Sequence, residues 1–168
     1  IAYQDKGSRN LMYANETGGT WQVATLDYGS STGEHTSIAL DSSDRVHISY
    51  KDQDHNNLMY ITQSGGAWAK TIVESGVRTG TFSTIGIDAA DNVHIVCRQF
   101  DDKVLQYATN MFGTWVTQTI DPDGNTGYYA SMVIDESGNL HIAHREEGEQ
   151  DLRYVRKSAA CLKLGLTA

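Results

Sequence analysis

Proline is nearly absent from this chain: Pro122 is the only one among 168 residues, against 16 glycines. Cysteine is almost as scarce. Two residues, Cys97 and Cys161, do not make a disulfide framework, and Cys97 reads as a small apolar core residue. Basic excess is missing too. The formal net charge is -8, which argues against nucleic acid or an anionic membrane surface as a partner, because both select a positive face. No apolar run reaches the roughly 18 residues of a membrane span. Helical capping signals and a 3.6-residue hydrophobic period are lacking as well. The chain opens at Ile1 with no Met or signal sequence, which reads as a fragment or a processed chain.

What is present is a period. Trp21, Trp68 and Trp115 are 47 residues apart, and so are His47, His94 and His141. The same interval relates Tyr13, Tyr60, Tyr107 and Tyr154, and also Leu11, Leu58, Leu105 and Leu152. Gly33, Gly80 and Gly127 follow it, as do Asp41, Asp88 and Asp135. Such spacing marks a repeat architecture in which each unit buries its apolar face against the next.

Within one period the residues alternate at period two, the signature of strands. Four short strands are expected. The first lies near Thr36 to Asp41, the second near Val46 to Lys51, the third near Asn57 to Gln63, and the fourth begins at Trp68. Short turns join them, such as Asp41 to Asp44 and Ser64 to Gly66. Only the link from a fourth strand to the next first strand is long, as in Ser75 to Thr81. Such a unit is one four-stranded antiparallel blade, and radial repetition makes an all-β propeller. The expected domain is a single propeller segment over 1–168, a partial ring of about 3.5 blades. Blade one is incomplete (1–27), and the others lie near 35–74, 82–121 and 129–168. The last outer strand is degenerate, with Leu162 in the Trp column. Since propellers close with roughly four to eight blades, a homo-oligomer or a longer chain is expected to complete the ring.

The stretches Asp41–Ser42–Ser43–Asp44–Arg45–Val46–His47–Ile48–Ser49–Tyr50 and Asp135 to Ile142 carry a DxxGNxHIxY-like pattern, followed by a NxLxYA and GxW series. That pattern resembles the repeats of sialidase-like, BNR-type β-propellers over about residues 1–157. The SxDxGxTW order of the Asp-box is absent, and the Trp stands on another strand. The resemblance therefore implies the fold and not sialidase activity. It also implies an extracellular or periplasmic setting.

Residues present in every period read as scaffold. The His, Asp and Trp columns suit strand-to-strand hydrogen bonding and packing between blades rather than metal ligation, since 47-residue spacing spreads them around a ring. The Asp-rich turns read as turns whose carboxylates accept backbone hydrogen bonds rather than as calcium loops. No metal or other cofactor is expected. Function belongs where the periods differ, in the crossovers and the second-to-third hairpins, which should share one face. The candidate ligand contacts there are His35, His55, Arg78, Phe82, Arg98, Phe100, Tyr128, Tyr129 and Arg145. Aromatic rings stack on sugars or side chains, and guanidinium groups grip carboxylates. The expected function is a non-catalytic, lectin-like carbohydrate-binding module. A fragment of a glycan-active hydrolase or lyase and a protein-interaction scaffold are the alternatives. A glycosidase would need two carboxylates flanking the bond at about 5–9.5 Å, and the sequence places no such pair. Arg78, Arg98 and Arg145 come from loops of successive blades, which would allow them to converge on a carboxylate.

Overall fold

The computed structural model describes residues 1–29 and 31–159, and every element among them is a strand. The degenerate stretch around Cys161, Leu162, Leu164 and Leu166 lies outside the described residues. The strands form four antiparallel sheets. The first holds β1 (Ala2–Gln4), β2 (Leu11–Thr17) and β3 (Thr20–Asp27). The second holds β4 (Thr32–Leu40), β5 (Val46–Asp52), β6 (Asn57–Ser64) and β7 (Ala67–Glu74). The third holds β8 (Thr81–Ile87), β9 (Val93–Gln99), β10 (Val104–Thr109) and β11 (Val116–Asp121). The fourth holds β12 (Tyr128–Ile134), β13 (Leu140–Arg145) and β14 (Leu152–Lys157). Each sheet is ordered as its strands occur in the chain, so every neighbour is a hairpin partner.

Three apolar cores lie between successive sheets. Leu11 and Tyr13 of the first sheet pack with Ile48, Tyr50 and Trp68 of the second. Leu58 and Tyr60 of the second pack with Ile85, Ile95 and Trp115 of the third. Leu105 and Tyr107 of the third pack with Met132 and Ile142 of the fourth. The Trp column works across these seams. The ring of Trp68 meets Tyr13 edge-on at 5.3 Å, and Trp115 meets Tyr60 at 5.1 Å. Both tryptophans are half-buried, whereas Trp21 is exposed.

The His and Asp columns join strand to strand inside the second, third and fourth sheets. His47 lies 2.6 Å from the Tyr60 hydroxyl through Nδ1 and 3.0 Å from Asp41 through Nε2. His94 and His141 repeat this with Tyr107 and Asp88, and with Tyr154 and Asp135. An ionised carboxylate only accepts, so Nε2 carries the proton and the tyrosine O–H donates to Nδ1. The same carboxylates organise the turns. Asp41 accepts the backbone N–H groups of Ser43 and Arg45, both at 2.9 Å. Burial acts to raise the Asp41 pKa, but hydrogen bonds from His47, Arg45 and Ser43 outweigh it and hold the carboxyl well below its usual range.

Two bulges recur in the sheets that carry all the strands concerned. One shifts the register between β2 and β3, β6 and β7, and β10 and β11. The extra residues Leu26, Val73 and Ile120 thereby turn into the cores. The other lies at the start of β4, β8 and β12, and places His35, Phe82 and Tyr129 at φ of 51°, 54° and 51°. Just before it, Gly33 has φ 85° and stands so close to the preceding sheet that an added Cβ would meet Leu11 Cα at 2.8 Å. That contact, with its left-handed backbone, requires glycine.

Candidate functional site

The links between sheets and the second-to-third hairpins occupy one edge, because hydrogen bonds staple each link on both sides. Thr32 donates its backbone N–H to the Arg9 carbonyl of the preceding hairpin, and Gln53 of the following hairpin donates to Ser31. Thr79 and Phe100 repeat this with Asn56 and Arg78, and Thr126 and Glu147 with Lys103 and Asn125. The hairpins are shaped by a column that sequence reading passed over: Asp5, Asp52, Gln99 and Glu146. Asp5 accepts from Ser8 N, Asp52 from Asp54 N, Gln99 from Asp102 N and Glu146 from Gly148 N. Its 47-residue spacing was the available signal, blurred because the residue type varies.

Seven of the nine candidate residues form one continuous line along this edge. The His35 and Phe82 ring centroids are 4.7 Å apart, and Phe82 lies 4.5 Å from Tyr129 and 5.5 Å from Tyr128. The Arg98 guanidinium carbon sits 4.2 Å from the Tyr128 ring and 5.3 Å from Phe100. Arg78 covers Phe100 at 4.5 Å. The line thus alternates cation and ring from Arg78 through Phe100 and Arg98 to Tyr128, then continues as rings through Phe82 to Tyr129 and His35. Arg78, Phe100, Tyr129 and His35 are exposed, Phe82 and Tyr128 are half-buried, and Arg98 is fully buried.

The two remaining candidates stand apart from that line of ring contacts. His55 Nδ1 is 2.7 Å from Asp52, with its side chain in solvent. Arg145 lies opposite Tyr128 in the ladder, and its guanidinium pairs with Glu147 at 3.1 Å.

Each arginine already has a polar partner. Arg78 Nε donates to Asp101 at 2.6 Å. Arg98 donates to the Thr126 carbonyl and, at 2.6 Å, to Asn125 Oδ1, while its buried Nε has no partner. Burial lowers the Arg98 pKa from its ordinary value, against the raising influence of Tyr128 and Glu147. Arg98 stands in a column with Gln4, Lys51 and Arg145. Gln4 donates to the Thr32 carbonyl at 2.9 Å and Lys51 to Thr81 Oγ1 at 3.1 Å. So Arg98 clasps the link leading to the next sheet, as Gln4 and Lys51 do, and its stacking on Tyr128 is added to that duty. Asn125 and Asp101, which hold the arginines, carried no sequence signal of their own. The arrangement offers ring faces and paired polar groups at a surface, which suits reversible binding of a partly apolar, hydroxyl-rich ligand. Among the described residues no group of three His, Cys, Asp or Glu side chains is placed to hold a metal ion.

Comparison with solved structures finds likenesses of fold. It is similar to a fucose lectin from Kordia zhangzhouensis in complex with methyl-fucoside, with a TM-score of 0.51 and 15% identity over 74% of this chain and 92% of that one. It is also similar to a protein of unknown function from Dyadobacter fermentans, with a TM-score of 0.63 and 10% identity over 92% of this chain. A leech intramolecular trans-sialidase complexed with 2,7-anhydro-Neu5Ac matches with a TM-score of 0.57 and 12% identity over 91% of this chain. The chain spans 51% of the Dyadobacter protein and 28% of the trans-sialidase. At these identities the likeness is one of fold. No family model and no curated protein sequence matches the chain.

Proposed function

We propose that this chain is a segment of a BNR-like β-propeller that binds carbohydrate, without catalysis, on the edge formed by its links and hairpins. The observation that carries this reading is the line from Arg78 and Phe100 through Arg98 and Tyr128 to Phe82, Tyr129 and His35. The exposed rings at its two ends, Phe100 and Tyr129, offer faces on which the C–H face of a sugar ring stacks. The net charge of -8 favours a neutral glycan over an acidic one. The fold likeness to a lectin complexed with methyl-fucoside supports the class of ligand. His55 and Arg145 belong to the same edge as outlying contacts, and further blades complete the ring.

A glycan array probed with the purified chain tests this. Binding to a defined set of neutral glycans is expected, and Phe100→Ala and Tyr129→Ala should each weaken it about tenfold or more while leaving the fold intact. Failure to bind any glycan, or binding untouched by both substitutions, would refute it. Turnover of a bound polysaccharide would instead make the protein a glycan-active enzyme.

A further inference from the structure

The link that runs into Tyr128 and Tyr129 is held from both sides. From the third sheet, Arg98 donates to the Thr126 carbonyl, and the Leu105 backbone N–H donates to Thr126 Oγ1 at 3.0 Å. From the fourth sheet, His144 on β13 accepts the Gly127 N–H on Nδ1 at 3.3 Å. His144 is 1% exposed. Its Nε2 therefore carries the ring proton, and it faces Asp121 Oδ2 of the third sheet at 3.2 Å. Arg153 of β14 lies 3.2 Å from the same oxygen, so Asp121 is shared between the ring and a guanidinium. The residues of this column, 47 apart, are Tyr50, Cys97 and His144. Tyr50 donates to Asp27 at 2.7 Å, and Cys97 takes the Gly80 N–H. Burial raises the pKa of both, that of Cys97 to about 11, so neither changes charge around neutral pH. The seam below Tyr128 is the one in which this position is a histidine.

We infer that His144 is a positioning residue for the binding edge: its neutral ring fixes the Tyr128–Tyr129 segment through Gly127, and a second ring proton releases that segment. The consequence for a ligand rests on the carbohydrate-binding reading above. A proton on Nδ1 sets two donors, the ring N–H and the Gly127 N–H, against each other in a buried place. Burial lowers the His144 pKa, Asp121 of β11 works against that, and Arg153 of β14 adds to it. Arg98 of β9 grips the same link from its other side and brings a further cation. Once the link lifts, the ring regains water and an ordinary pKa of about 6.5. Opening therefore takes up a proton, and acid drives it. Tyr128 then loses its fixed place against the Arg98 guanidinium, and Tyr129 moves with it. The edge holds a neutral glycan at neutral pH and lets go of it in mild acid.

The test is hydrogen exchange of the chain of residues 1–168 at pH 7.5 and 5.5, read by mass spectrometry and corrected for the intrinsic pH dependence of amide exchange. Exchange in the segment 123–130 is expected to rise about threefold or more at pH 5.5, while the corresponding link 76–83, beside Cys97, does not follow. In His144→Gln the rise should vanish, because a carboxamide oxygen still accepts the Gly127 N–H and does not titrate. Should that variant fail to fold, His144→Tyr serves in its place with the same expected outcome. A glycan array read at both pH values should show weaker binding at pH 5.5 for the wild-type chain and no pH difference for the variant. Unchanged exchange in 123–130, an equal rise in both links, or a rise that persists in the variant overturns the inference. So does wild-type glycan binding that is equal at both pH values. An array silent at both pH values counts against the carbohydrate reading alone, and exchange still decides the role of His144.

Discussion

Trp115 and Tyr60 meet edge to face across a seam, with ring centroids 5.1 Å apart and planes inclined at 62°. Tyr60 in turn donates its hydroxyl proton to His47, which donates to Asp41. A tryptophan just before the outer strand β11 of one sheet thus caps a hydrogen-bonded relay in the sheet before it.

Removing that cap should cost stability. Trp115 is half-buried, so Trp115→Ala forfeits only part of a full core truncation, about 2 kcal/mol. Urea unfolding followed by circular dichroism measures it. A loss under about 0.5 kcal/mol would show that the seam does not depend on this ring.

The glycine columns should separate by contact rather than by backbone angle alone. Gly33 and Gly65 both have positive φ, at 85° and 58°. Only Gly33 faces a neighbour, with Leu11 Cα 2.8 Å from an added Cβ, whereas nothing lies within 4 Å at Gly65. Gly65→Ala should cost about 1 kcal/mol from strain. Gly33→Ala should cost clearly more, because the link must retreat from the preceding sheet. Equal losses in chemical denaturation would contradict this.

Arg98 is a clasp before it is a ligand contact. Its guanidinium holds the Thr126 carbonyl and Asn125 and lies under the Tyr128 ring. Arg98→Ala should therefore destabilise the fold by about 3 kcal/mol, since it leaves buried polar groups unpaired. Arg98→Lys should recover little of this, because an ammonium neither forks to two acceptors nor stacks flat on a ring. Full stability in the alanine variant, by thermal unfolding, would return Arg98 to the pool of free binding groups.

Stability should fall on mild acidification. Burial lowers the pKa of His94, and Asp88 only partly offsets it. Burial does the same to His144, against Asp121. His144 accepts the Gly127 backbone N–H on Nδ1 at 3.3 Å, a bond that a protonated ring would lose. With the folded pKa below the unfolded value of about 6.5, the unfolded chain binds more protons, so stability is greatest above that pH and declines below it. A second loss follows below about pH 4, where Asp41, Asp88 and Asp135, all depressed in the fold, become protonated on unfolding. Urea midpoints at pH 7.5, 5.5 and 3.5 should descend in that order. The Tyr50 hydroxyl meets Asp27 at 2.7 Å in the place where His144 meets Asp121. His144→Tyr should accordingly flatten the first step. A rise in stability from pH 7.5 to 5.5 would reverse the argument.

The strand plan was legible in the sequence because its signals are local. Alternation placed the second strand at Val46 to Lys51, and the structure has Val46–Asp52. The first strand starts earlier than alternation allowed, at Thr32 rather than Thr36, because the bulge at His35 breaks the period-two pattern. The other bulges were hidden for the same reason: an extra residue such as Val73 scrambles alternation while turning into the core. For the candidate edge, sequence reading named the seven residues of the line but not their order or burial. Arg98 looked like a free arginine, because nothing local distinguishes a buried clasp from an exposed contact.

By itself, the sequence determined the 47-residue period, the strands and turns within it, and the role of the His, Asp and Trp columns. These follow from side-chain alternation and from turn chemistry acting over a few residues. Only the tertiary structure decided which groups meet across the seams: Trp115 on Tyr60, Gly33 against Leu11, and Arg98 between Phe100 and Tyr128. Those contacts depend on how far each sheet is rotated and offset from the last. That offset is set by the packing of whole sheet faces, which no single stretch of chain encodes.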